Sequence, residues 1–99
     1  RHLGAWAGLT GAEIAVRWPR DYERVQARDR DVRPGGGESI RDVERRARDF
    51  FRELARGAAG ARIAVVAHGG VIRALCGVGH VANAAFVRTT LAELASPDA

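Results

Sequence analysis

Residues 62–75 read RIAVVAHGGVIRAL. From Arg62 to Ala67 runs a short apolar stretch with branched side chains. His68 ends it, Gly69 and Gly70 form a turn, and an amphipathic pattern resumes at Val71. An apolar run of this length bounded by turn residues predicts a strand buried on both faces. A helix is expected from Val71 to about Val78. A strand feeding a helix through a glycine turn is the repeating unit of parallel α/β folds, so the expected fold class is α/β with a mainly parallel sheet.

The flanks supply further helices. Ile40, Val43, Ala47, Phe50, Phe51 and Leu54 recur at steps of three and four, which predicts the longest helix of the chain with these residues in its core. Ser39 with Asp42 supplies the capping pattern at its start, and GAAG at residues 57–60 ends it. Asp42 with Arg46, Glu44 with Arg48 and Arg45 with Asp49 are spaced as on a solvated helix face. Upstream, Thr10 and Glu13 form a capping box that predicts a helix over Gly11–Arg17. Pro19 suits the first turn of another helix, to about Asp29, with Tyr22 and Val25 facing the core. DVRPGGGES, residues 31–39, and the first ten residues around Trp6 read as loops. Phe86 to Leu94 is expected to be a final strand. A single central strand cannot cover both of its own faces, so the rest of the sheet is expected in residues preceding Arg1.

Composition narrows the chemistry. The 99 residues are 46% apolar and 28% charged, as in soluble globular chains. Nineteen of the apolar residues are alanine, which leaves a thin bulky inventory for a core. The chain contains no methionine and opens on Arg1, and is read as a fragment. No stretch has the length of a membrane span or the pattern of a leader, so the expected localisation is cytoplasmic with no membrane partner. Cys76 is the one cysteine, which rules out an internal disulfide framework and a zinc site built mainly from cysteine. All sixteen basic residues are arginine, so these residues hold no P-loop lysine and no Schiff-base lysine. The net charge of +4 favours anions, but arginines alternating with acids argue against a nucleic-acid partner. Neither G-x-G-x-x-G nor G-x-S-x-G is present.

A histidine at the carboxyl end of a parallel strand, followed by a helix start, stands where α/β folds bind ligands. The free amides of the helix and its positive dipole end suit an anion, glycines let the backbone approach phosphate oxygens, and a protonated imidazole adds a charge-assisted hydrogen bond. The alternative, in which His68 merely closes the strand and the glycines make a tight turn, stays open on these residues alone.

VVAHGGVIRAL (65–75), preceded by RPGGGESIRDVERRA (33–47) and GAWAGLTGAEIAVRWPRDYERV (4–25), resembles the C-terminal part of the histidine phosphatase superfamily, the phosphoglycerate mutase-like enzymes. Three blocks in the family's order, over Arg1 to Leu94, carry the resemblance. It implies that residues 1–99 are the C-terminal portion of a single domain, a partial three-layer α/β sandwich. It also implies a metal-independent phosphatase, with neither a metal nor a cofactor expected, acting on a small phosphorylated metabolite through a phosphohistidine.

In the family a first histidine, in an arginine, histidine, glycine motif, attacks phosphorus. A second histidine, matched by His68, holds the phosphoryl group, with Gly69 beside it at the phosphate. An acid a few residues before the glycine matched by Gly4 protonates the leaving group. His2 does not match the nucleophile, because Leu3 separates it from Gly4 and GAWAGLT belongs to the later block. The acid would fall one position before Arg1, and Arg1 itself matches an arginine near the substrate's outer end. Asn83, in VANAAF, is read as a residue beside the substrate or as a turn asparagine.

The resemblance leaves Arg73 as a structural ion-pair residue in preference to a substrate contact. His80 is expected on a surface loop, Cys76 as a small buried hydrophobe, and Trp6 and Trp18 in packing. Two departures from the pattern are Ala7, where many members have glutamate, and a shortened segment between Leu75 and Asn83. The 99 residues alone are expected to show no turnover. The alternatives are a mutase of the same family, or a non-catalytic phosphate-binding or protein-interaction module. The sequence does not indicate an oligomeric state.

Overall fold

The computed structural model describes residues 1–58 and 60–96. They fall into two compact units, Arg1–Val43 and Glu44–Ala99. In the first unit Thr10 Oγ1 accepts the Glu13 N–H at 3.2 Å and starts α1, Gly11–Arg17, which buries Ile14. Trp18 ends α1 by donating its N–H to the Ile14 carbonyl, and α2, Pro19–Gln26, follows directly with proline in its first turn. The helix expected to reach Asp29 stops at Gln26. Asp29 is committed elsewhere, accepting from Arg24 Nε and the Asp31 N–H at 2.9 Å each. Tyr22 and Val25 are half-buried. Trp6 is buried against Trp18 with ring centroids 6.1 Å apart, so both tryptophans pack.

Two short 3₁₀ turns close this unit, Gly4–Trp6 and Pro34–Gly36. Their backbones touch. A Cβ on Gly4 would collide with the Gly35 carbonyl, and one on Gly37 with the His2 carbonyl. Gly35 has φ 60°, so it is required both by conformation and by close approach.

α3, Ile40–Gly57, is the longest helix, as the periodicity predicts. Its start is a reciprocal box: Asp42 N–H donates to Ser39 Oγ at 3.1 Å, and Ser39 N–H donates to Asp42 Oδ2 at 3.0 Å. Val43 and Phe51 are buried, whereas Phe50 is 57% exposed and meets Phe51 only edge-on. Neighbouring positions lie about 100° apart around a helix, so the two phenylalanines do not share one face. Glu44 and Arg48, expected on a solvated face, are buried and ion-paired at 2.8 Å.

In the second unit α4 spans Gly69–Cys76, two residues earlier than expected, and ends on Gly77 in the left-handed conformation. α5, Leu91–Ala95, occupies part of the segment expected as a final strand. Thr90 Oγ1 accepts the Glu93 N–H at 3.1 Å, a threonine and glutamate pattern legible in the sequence but masked there by the apolar run before it.

The expected α/β sandwich with a mainly parallel sheet is not what the structure contains. The described residues are helical and include no strand. Residues 62–67, read as a doubly buried strand, expose Ile63 by 43%, Val65 by 47% and Val66 by 98%. A strand exists only as one side of a hydrogen-bonded ladder, whereas a helix closes its bonds within its own segment. Neither 62–67 nor 86–90 finds a ladder partner among the described residues.

Candidate functional site

His68 is the N-cap residue of α4. Its backbone is extended, at φ −68° and ψ 151°, and its carbonyl accepts from the Val71 and Ile72 N–H groups at 3.0 and 3.3 Å. Its side chain is exposed and makes no capping bond. Among the described residues the N–H groups of Gly69 and Gly70 have no acceptor. The turn therefore presents two amide donors and an imidazole to the outside, together with the positive end of an eight-residue helix.

Two further residues frame this turn. Val81 approaches Gly69: a Cβ placed on Gly69 would lie 3.9 Å from Val81 Cβ. The loop carrying Asn83 thus passes beside the start of α4. Asn83 itself is exposed and sits in the turn closed by the Ala85 N–H on the Ala82 carbonyl at 3.1 Å, next to Ala84 with φ 61°. Arg73 folds back over the glycines, its Nη1 3.2 Å from the Cβ position of Gly69 and its Nη2 3.7 Å from that of Gly70. Arg73 has no ion pair among the described residues, so the structural salt bridge expected for it is not formed.

Arg1 lies in the other unit. Its Nε donates to the Glu38 carbonyl at 2.8 Å, and burial lowers the guanidinium pKa while the Glu38 carboxylate opposes the shift. Glu38 also takes the His2 N–H on Oε1 and gives its own N–H to the His2 carbonyl, both at 2.7 Å. His2 Nδ1 accepts the Gly4 N–H at 3.1 Å. Sequence reasoning did not single out Glu38. The signal for it was its position directly after three glycines that bring it against the N-terminal segment.

His80 is exposed in a loop, and Cys76 is half-buried, with burial raising its thiol pKa. The described residues contain no group of three or more histidine, cysteine, aspartate or glutamate side chains that could hold a metal ion. No helix among them is long and apolar enough to cross a membrane. Two shallow surface concavities, one along Phe50, Glu53, Leu54, Gly57 and Ala58 and one along Ala12, Glu13, Val16 and Arg17, do not include His68.

The sequence profile of the histidine phosphatase superfamily (branch 1) matches residues 1–96, and the chain belongs to that superfamily. It is 38% identical over 76 residues to a metal-independent phosphoserine phosphatase of Arabidopsis thaliana, which covers 76% of this chain and 32% of the relative. A 2,3-bisphosphoglycerate-dependent phosphoglycerate mutase of Methylobacterium sp. (strain 4-46) is 39% identical over 77 residues, covering 76% of this chain and 37% of its own length. A second such mutase, from Gloeobacter violaceus, is 38% identical over 77 residues, 76% of this chain and 35% of the relative. The chain spans about a third of the length of these curated relatives. No solved structure matches it significantly.

Proposed function

We propose that this chain supplies the second-histidine half of a metal-independent phosphatase site, and that the intact protein hydrolyses a small phosphorylated metabolite through a phosphohistidine. The observation that carries this reading is the His68 turn: an imidazole that makes no capping bond is followed directly by two backbone amides unpaired among the described residues, at the start of α4. Membership of the superfamily supports it, as does the phosphatase among the relatives. In the transfer, a histidine nitrogen outside these residues forms a bond to phosphorus as the ester oxygen leaves and takes a proton. Water then breaks the nitrogen–phosphorus bond and releases orthophosphate. His68 and the amides of Gly69 and Gly70 hold the equatorial oxygens, where preorganised donors act most strongly on the loose transition state. Arg1 and Asn83 are proposed as substrate contacts.

The mutases among the relatives favour a second reading, in which the phosphoryl group returns to a hydroxyl of the substrate instead of water. One assay separates the two. The intact protein is incubated with phosphomonoesters in the presence of a chelator, and both orthophosphate and positional isomers are quantified. Orthophosphate release that falls by about a hundredfold or more in His68→Asn is expected. Isomer formation without orthophosphate replaces phosphatase by mutase, and turnover indifferent to His68 rejects the site.

A further inference from the structure

We infer that Arg73 is a second cationic phosphate ligand at the His68 turn; this rests on the reading of that turn as a phosphoryl site. An arginine in the second turn of a helix ordinarily pairs with an acid three or four residues earlier. In α4 those positions are Gly70 and Gly69, and the Arg73 guanidinium instead lies across both of them. It has no carboxylate partner among the described residues.

The placement is electrostatically one-sided. A half-buried cation sits against the positive end of its own helix, over the two glycines whose N–H groups are unpaired among the described residues and next in the chain to His68. Positive charge at a helix start is unfavourable, and every donor of the cluster is of one sign. An oxyanion reverses each of these repulsions at once. The planar guanidinium, with paired N–H donors, matches two phosphate oxygens, which an ammonium group does as a point charge only.

The glycines have a second use in this arrangement. A Cβ on Gly69 would lie 3.2 Å from Nη1, closer than ordinary contact, so any side chain there displaces the guanidinium. Gly69 keeps the seat of Arg73 clear as well as opening its own amide. The sequence motif thus acts as one unit of His68, Gly69, Gly70 and Arg73, in which the arginine reaches back to the turn that the histidine begins.

The test uses the intact protein with an aryl phosphate as substrate and inorganic phosphate as the competing probe. Arg73→Gln is expected to raise both KM and the inhibition constant of orthophosphate by about tenfold, with an unchanged melting temperature, and Arg73→Lys to recover only part of the loss. Where Arg73→Gln does not fold, Gly69→Ala, which keeps the charge and shifts the guanidinium, is expected to weaken orthophosphate in the same direction. With foldable variants, Gly69→Ala should add little in the Arg73→Gln background. Orthophosphate inhibition within twofold of wild type in Arg73→Gln, with turnover still abolished in His68→Asn, overturns the role of Arg73 and leaves the phosphoryl reading standing. Loss of melting temperature with unchanged KM and orthophosphate inhibition makes Arg73 structural and overturns the proposal. A wild-type protein without turnover or orthophosphate binding removes the reading and the proposal together.

Discussion

Arg48 grips Glu44 one turn earlier on α3 through two donors, Nε at 3.0 Å and Nη2 at 2.8 Å, both on Oε1, and the pair is almost fully buried. The remaining nitrogen, Nη1, reaches the carbonyls of Glu93 at 3.3 Å and Leu94 at 3.0 Å. Arg52, on the next turn, donates from Nε to the Ala95 carbonyl at 3.0 Å. Two arginines of one helix thereby donate to the last three carbonyls of α5, of which that of Glu93 also takes the Ser96 N–H at 3.3 Å. Arg48→Met removes the charge and leaves Glu44 buried without this partner. We expect a loss of about 3 kcal/mol in urea unfolding of the intact protein, largely recovered in Arg48→Met/Glu44→Leu. A single variant within 1 kcal/mol of wild type would show that the pair is not a structural anchor.

Glycine substitutions should separate close approach from conformation. At Gly35 a Cβ would stand 2.6 Å from both the Leu3 carbonyl and the Ala5 nitrogen, whereas at Gly36, also at positive φ, nothing lies within 4 Å. Gly36→Ala is expected to cost about 1 kcal/mol from backbone strain alone. Gly35→Ala is expected to cost several times more and to speed hydrogen exchange at the Glu38 amide, which is bonded to His2 in this contact. Equal losses for the two variants would contradict the packing of the two 3₁₀ turns.

Acid should weaken the start of α3. The Asp42 carboxyl is held below its ordinary pKa, first by the Ser39 N–H, and further by the Ser39 hydroxyl and Arg33, against the cost of desolvation. A folded pKa below the unfolded value means that the stabilisation is present above the unfolded value of about 3.9 and is lost as pH falls through the folded one. Unfolding measured from pH 6 down to pH 2 should show a smaller loss in Asp42→Asn than in wild type, from a lower starting stability at pH 6. Parallel curves would remove Asp42 as a source of the acid dependence.

Cys76 should be a sluggish nucleophile. Burial raises its thiol pKa, Arg48 opposes the shift, and Glu93 adds to it. Alkylation by iodoacetamide at pH 8 is expected to run slower than for a free cysteine and to keep rising beyond the pH at which the free thiol levels off. Arg48→Met should slow it further, because it removes a cation that favours the thiolate. A rate equal to that of free cysteine would contradict this environment.

What was legible in the sequence was local. Thr10, Pro19 and Ser39 each marked a helix start that the structure contains, because a cap is decided by a hydroxyl, a carboxylate or a missing N–H within four residues of chain. The turn of His68, Gly69 and Gly70 was legible for the same reason, and so was the superfamily, whose three blocks are patterns along the chain. Less legible were the side-chain partners. Spacing paired Glu44 with Arg48 correctly but placed them in solvent, since nothing within α3 reveals that the α5 carbonyls lie against Arg48.

Sequence alone therefore determined the starts of α1, α2 and α3, the histidine turn and the family, all of them set by interactions between residues close along the chain. Tertiary structure decided the rest. It left residues 62–67 without a ladder partner among the described residues, since strand pairing requires a distant segment that the apolar run itself does not specify. It buried the Glu44 and Arg48 pair and set Gly4 against Gly35, contacts fixed by which surfaces meet. Arg73 lies between the two cases: its spacing put it within reach of Gly69, but only the folded chain showed its guanidinium laid over the turn with no acid paired to it among the described residues.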